Sequence, residues 1–201
     1  KLCAMGKEIR EKIPGKYGLG VNTGELSAED LKALHESGFN SAYHTLHLGE
    51  GIDTIFKPMF RLRTMSNIRD SDLNLTCGID PIGIEHTDEE IASTLMILRD
   101  YEPMSICSMK RINPKGTPVE SIPEVDATRV AQIAAVIRFA SGGNVASVPP
   151  NKKAIEWGAN STTIGTGSNP RDSVHDPSTI GDWRFDFEDV KQMFLDCGYD
   201  I

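Results

Sequence analysis

The side chains best suited to chemistry stand at the ends of apolar runs. His44 and His47 close the run 39–48. Three residues along a strand turn side chains to opposite faces, so the two histidines can share a metal only if the chain turns between them. The commoner role of a strand-end histidine is hydrogen bonding, to protein or to substrate. Cys77 lies within the apolar run 73–79, where a thiol is most often inert core. Glu25 and Arg61 are read as an exposed ion pair of little energetic weight. Lys110 and Arg111 end the run 105–111 beside a Gly-Thr-Pro loop, which suits an anionic group, although solvated charge is the usual explanation. The four cysteines, Cys3, Cys77, Cys107 and Cys197, form no CxxC pair, so each is a buried hydrophobe or a lone ligand.

The elements that must position these residues alternate. Helical patterns occupy 3–13, 28–37, 56–69, 88–100, 127–140, 152–157 and 187–196; strand patterns occupy 17–22, 39–48, 73–79, 105–111, 144–148 and 161–165. Ser27 is expected to cap the helix at 28, and Gly38 to stop it. After the strand 73–79, Gly78, Pro81 and Gly83 read as a tight turn, and Thr87 with Asp88, Glu89 and Glu90 as a helix start. The segment 113–125 is irregular and 166–182 is polar and loop-like.

Strand and helix in alternation imply parallel strands with right-handed crossovers, hence the α/β class. No Gly-x-Gly-x-x-Gly follows the first strand, which favours a β/α barrel over a dinucleotide-binding sheet. A complete barrel takes about 250 residues, so 201 residues with six units read as a partial TIM-type barrel, units 3–8, whose two front units are missing. It is taken as one domain over 1–201, with 166–201 as tail and closing helix. Chemistry is then expected at the strand ends: Asn22 to Glu25, His44 to His47, Cys77 to Gly83, Lys110 and Arg111, Pro149 to Lys152, and Gly165 to Gly167. The strand at 17–22 would have an open edge, to be covered, paired with a second copy as a homodimer, or left to aggregate.

Net charge of -8 and a pI near 5.1 argue against a nucleic-acid partner. No apolar run approaches the roughly 20 residues of a membrane span, and the first residues lack a signal-peptide core. The expectation is a soluble cytoplasmic protein.

Six stretches in order carry a resemblance: Asn22-Thr23-Gly24-Glu25-Leu26-Ser27, Tyr43-His44-Thr45-Leu46-His47, Arg61-Leu62-Arg63-Thr64, Cys77-Gly78-Ile79-Asp80-Pro81-Ile82-Gly83, Lys115-Gly116-Thr117-Pro118 and Gly158-Ala159-Asn160-Ser161. Together they resemble the biotin synthase-like branch of the radical SAM enzymes, across nearly the whole chain. The resemblance implies S-adenosylmethionine and a 4Fe–4S cluster as cofactors. Asn22, Glu25, His44, Thr45, Arg61, Cys77, Pro81 and Gly83 would then face the cofactor, with Glu25 at its methionine end and Arg61 at its carboxylate. His47, Lys110, Arg111 and Asn151 would face a small-molecule substrate, and flavodoxin or ferredoxin would donate electrons.

The family's CxxxCxxC is absent from these residues and would lie upstream. Gly20 and Ala146 stand where biotin synthase carries a Cys and an Arg for a second cluster, which makes sulfur insertion into dethiobiotin the wrong chemistry. The stretch 43–51 is similar to a methanogen-type group, one member of which is linked to assembly of the iron-guanylylpyridinol cofactor. The implied function is therefore reductive cleavage of S-adenosylmethionine to a 5′-deoxyadenosyl radical in cofactor or small-metabolite biosynthesis. A non-catalytic carrier of a nucleotide or iron precursor is the alternative. An aldolase-like barrel would need Lys110 as its Schiff-base lysine.

Overall fold

The computed structural model describes residues 1–113, 115–142, 145–148, 151–164 and 186–201. They form two compact units, Lys1–Ile79 with Asp88–Ser105, and Asp80–Thr87 with Ile106–Ile201. The elements alternate as the patterning requires: α1 (Leu2–Lys12), β1 (Gly20–Asn22), α2 (Ala28–Glu36), β2 (Ser41–Tyr43), α3 (Pro58–Arg69), β3 (Asn74–Ile82), α4 (Asp88–Arg99), β4 (Ser105–Lys110), α5 (Ala127–Ala140), β5 (Val145–Val148), α6 (Lys152–Glu156), β6 (Ser161–Thr162) and α7 (Phe187–Asp196). The strands follow one another in sheet order from β1 to β6.

In the first unit the pairs β1–β2 and β2–β3 are parallel, and their register sets Val21, Ala42 and Leu75 in one buried row. Helices supply the other layer of that core through Leu31, Leu34, Met65, Ile68, Leu95 and Leu98. The capping box at the start of α2 is present: Ser27 accepts from the Asp30 N–H, and Asp30 accepts from the Ser27 N–H. β1 is shorter than the pattern 17–22. Tyr17 is held on α1, its hydroxyl donating to the Ile13 carbonyl at 2.6 Å and its ring lying under the Arg10 guanidinium. The same guanidinium donates to the carbonyls of Gly38 and Tyr17, tying the chain before β1 and β2 to α1.

β3 departs in the other direction. The turn expected at 78–83 is strand as far as Ile82, whose carbonyl accepts from the Arg111 N–H at 2.8 Å. The Asp80–Pro81 peptide is cis. An almost unbroken buried pattern along this strand is what a strand covered on both faces requires.

In the second unit β5 and β6 are parallel. The core joins Ile106, Val130, Ile133, Ala134, Ile137 and Val148, and a further cluster packs Ile155 with Val190 and Phe194 of α7. Asp126, Asn151 and Asp186 cap α5, α6 and α7 with their side chains. The last strand pattern, 161–165, contracts to β6, and its final residue and the tail 166–182 lie outside the described residues. Among the described residues no helix is long and apolar enough to cross a membrane.

Candidate functional site

The first unit builds its polar site where the chain leaves β2. The His44 N–H still donates to the Thr76 carbonyl at 2.9 Å. At the next residue a side chain replaces the ladder. The Thr45 hydroxyl donates to the Gly78 carbonyl at 2.7 Å and accepts from the Gly78 N–H at 3.2 Å. With both backbone groups of Gly78 satisfied by one hydroxyl, β3 continues while the other chain turns away. This is why the strand expected over 39–48 is only Ser41–Tyr43. Thr45→Val keeps the shape and strands two buried backbone groups, so a loss of about 1–2 kcal/mol is expected in urea unfolding, with Thr45→Ser close to the parent.

His44 is 3% exposed, and its Nε2 has no hydrogen-bond partner among the described residues. Burial, reinforced by the nearby Arg61 guanidinium and then His47, holds its pKa down to about 4, against a smaller opposite pull from Glu50. The imidazole is therefore neutral at ordinary pH. His44 and His47 both lie beyond the strand. No group of three His, Cys, Asp or Glu side chains among the described residues could hold a metal ion.

The turn that follows delivers Glu50 inward. Gly49 has φ +70°, and a Cβ there would collide with the Asp53 carboxylate, so glycine is required by conformation and space alike. The Glu50 side chain is 1% exposed and accepts from the Arg61 Nε at 2.8 Å and from the His47 N–H at 3.1 Å. Arg61, with its side chain 17% exposed, also lies 5.3 Å over the Phe56 ring. Among the described residues no hydrogen bond uses its two Nη atoms. The pairing of Arg61 with Glu25 expected from sequence is thus corrected: Glu50 is the partner, Glu25 is exposed in the loop after β1, and Asn22 is exposed at the end of that strand. That loop is fastened to α3, where Thr64 accepts from the Leu26 N–H and Asn67 donates to its carbonyl at 2.9 Å. Cys77 is buried on β3. Glu50 was missed in the sequence because it sits between two glycines in an apparent surface turn; that flanking was its only signal.

The second unit carries the other expected residues. Gly83 is buried, and a Cβ on it would collide with the Glu85 carboxylate. Glu85 receives two N–H groups of Arg111, which hold its carboxyl below the usual range. The Arg111 Nε donates to Asn113, whose amide donates to the Ile122 carbonyl at 2.6 Å. Lys110 pairs with Glu124 at 3.0 Å, and Glu124 also accepts from the Asn113 N–H. Both cations thus meet carboxylates, which fasten the 111–124 loop to the end of β3 and to itself. The Asn151 amide accepts from the Ala154 N–H and donates to the Ala127 carbonyl. Asn160 accepts from the Ala146 N–H at 3.0 Å after Gly158 turns at φ +115°, which gives the Gly-Ala-Asn-Ser stretch a structural part. Pro149, Pro150 and residues 165–167 lie outside the described residues.

The chain as a whole is similar to known proteins. A biotin synthase of Legionella pneumophila is 27% identical over 187 residues, covering 82% of this chain and 59% of the relative. A biotin synthase of Persephonella marina is 29% identical over 137 residues, covering 66% and 40%. No protein-family model matches. Among solved structures, methylornithine synthase PylB aligns with a TM-score of 0.72 at 14% identity, covering 98% of this chain and 60% of that one. The FeFe-hydrogenase maturase HydG from Carboxydothermus hydrogenoformans aligns at 0.68 and 12% identity, covering 99% and 52%.

The chain is similar in sequence to biotin synthases and in fold to PylB and HydG.

The two solved structures carry the fold, a β/α fold of TIM-barrel type. The chain spans 59% of the length of the Legionella biotin synthase.

Proposed function

We propose that the protein is a radical SAM enzyme whose first unit grips the amino-acid end of S-adenosylmethionine at the exit of β2. The observation that carries this reading is the pairing of two unspent polar groups: the Nη atoms of Arg61 and the buried, neutral His44 Nε2. A buried polar atom without a partner costs free energy in the bare protein, and a ligand that supplies the partner recovers it. Glu50 fixes the guanidinium by its Nε, which leaves the two-pronged edge for a carboxylate. Asn22 and Glu25, in the stretch fastened to α3 through Leu26, would meet the ligand's ammonium and hydroxyl groups. Thr45 acts through the backbone, holding the exit open. In the second unit Pro81 and Gly83 shape the strand end, and Lys110, Arg111 and Asn151 are retained as substrate-side residues. His47 is retained as a substrate-side residue of the first unit.

A bound 4Fe–4S cluster would supply the electron for reductive cleavage of S-adenosylmethionine to methionine and a 5′-deoxyadenosyl radical. The chain's own residues bind, orient and exclude water. Within cofactor and small-metabolite biosynthesis, the likeness of 43–51 to the methanogen-type group supports iron-guanylylpyridinol assembly, and Gly20 and Ala146 speak against biotin formation.

The test is anaerobic reconstitution of the full-length protein with iron and sulfide, followed by dithionite and S-adenosylmethionine. Cluster absorbance and 5′-deoxyadenosine are expected. A full-length protein that takes up no cluster and cleaves no S-adenosylmethionine would overturn the reading.

A further inference from the structure

The first turn of α4 sends one carboxylate to the turn that delivers Glu50. Glu90 is half-buried, and its Oε1 accepts from the Gly49 N–H at 3.2 Å, across 41 residues of chain. Both residues belong to the first unit. Asp88, Glu89 and Glu90 all stand in the opening turn of α4, a place where the helix dipole and unsatisfied N–H groups favour negative charge.

Gly49 is the pivot of the turn. With φ +70° it leads the chain from His47 round to Glu50. Its carbonyl is held by the loop that follows, accepting from the Ile52 and Asp53 N–H groups at 3.0 and 2.8 Å. Its N–H is held by α4 through Glu90. Two carboxylates therefore clamp one turn. Glu50 gives one oxygen to the Arg61 Nε at 2.8 Å and the other to the His47 N–H at 3.1 Å. A single buried side chain thus spans Arg61, assigned to the cofactor, and His47, assigned to the substrate, and any shift of Gly49 moves the group that links them. An ionised acceptor on a backbone N–H makes one of the stronger protein hydrogen bonds. Ligand-binding side chains depend on such support, because a misplacement of about 1 Å is costly.

We propose that Glu90 is a positioning residue of the site: by holding Gly49 to α4 it sets the Glu50 carboxylate, and through it the edge of Arg61 that takes the ligand's carboxylate. The inference rests on the S-adenosylmethionine grip proposed above. Glu90 acts through the turn and carries no ligand contact of its own in this role.

The test is calorimetric titration of the full-length, cluster-loaded protein with S-adenosylmethionine, paired with hydrogen exchange of the 47–51 amides in the same protein without ligand. Glu90→Ala is expected to weaken binding roughly five- to tenfold and to speed exchange at the Gly49 amide. Glu90→Gln keeps an oxygen that accepts from Gly49, so its affinity should stay within about threefold of the parent. In the Arg61→Ala/Glu50→Gln background, Glu90→Ala should cost less than about a further twofold, because the groups it positions are already gone. The full loss in that background would make Glu90 a direct contact or a general support of the fold, and overturns the proposal. So does Glu90→Ala binding like the parent, Glu90→Gln losing as much as Glu90→Ala, or a Gly49 amide that exchanges no faster in Glu90→Ala. Each of these results, with a parent that binds S-adenosylmethionine, leaves the grip itself standing. A parent that binds none overturns the grip and the positioning role together.

Discussion

Arg61→Ala is expected to destabilise the fold by about 3–5 kcal/mol, more than any other single charge removal in the first unit. The Glu50 carboxylate is 1% exposed, and its charge is answered by the Arg61 Nε at 2.8 Å and the His47 N–H. Truncating Arg61 leaves that carboxylate buried without its cation. The double change Arg61→Ala/Glu50→Gln removes the orphaned charge, keeps an acceptor for the His47 N–H, and should recover much of the loss in urea unfolding. It also keeps a folded protein for the binding measurement. There, losing a charged hydrogen-bond partner costs roughly 1.5–3 kcal/mol, or about one to two orders of magnitude in S-adenosylmethionine affinity. Arg61→Lys should lose nearly as much, because an ammonium cannot present two parallel N–H groups while a third engages Glu50. Arg63 is exposed two residues on, a spacing that turns it to another side of the helix. Arg63→Ala should therefore change affinity by less than about threefold. Equal unfolding midpoints for Arg61→Ala and Arg63→Ala would remove the buried pair from this account.

Stability should also fall between neutral and mildly acid pH by an amount set largely by His44. The folded-state pKa, about 4, lies below the ordinary 6.5, because burial and the Arg61 guanidinium disfavour the imidazolium. Between these values the unfolded chain takes up a proton that the folded protein refuses. The stabilising contribution is complete above about pH 6.5, declines as pH falls, and is exhausted near pH 4. The shift corresponds to about 3 kcal/mol in total, of which about 2 kcal/mol should be lost between pH 7 and pH 5. His44→Phe removes this dependence whatever it does to stability at neutral pH. The carboxyl groups of Glu85, held down by Arg111, and Asp30, held down by Ser27, act in the same direction but titrate in the lower carboxylate range, so urea unfolding near pH 7 and near pH 5 separates them. A parent protein as stable at the lower pH as at the higher would show that His44 is charged or solvated in the fold.

Helices were the legible part of this chain. The bounds of α5 and α7 agree with those read from periodicity, and the Ser27 cap is where its spacing to Asp30 puts it. Each depends on residues within one turn of one another, so the local sequence contains the whole interaction. The order of six strands, each before a helix, was legible for the same reason, and parallel pairing follows from it. Strand ends were not. β2 stops at Tyr43 because the Thr45 hydroxyl takes both backbone groups of Gly78, 33 residues away, and β1 shortens because Tyr17 is bound to α1.

The site divides along the same line. The residue types at the strand exits, two histidines, a lysine and an arginine, could be named from the chain, since apolar runs mark where strands finish. Their partners could not. Arg61 pairs with Glu50 instead of Glu25, and Arg111 with Glu85, because two turns fold carboxylates back, the first of them at Gly49, whose φ of +70° favours glycine. A charge is a property of one residue and is written in the sequence. Whether that charge is buried, answered or left to receive a ligand depends on atoms brought together by the backbone across tens of residues, and only the tertiary structure decides it.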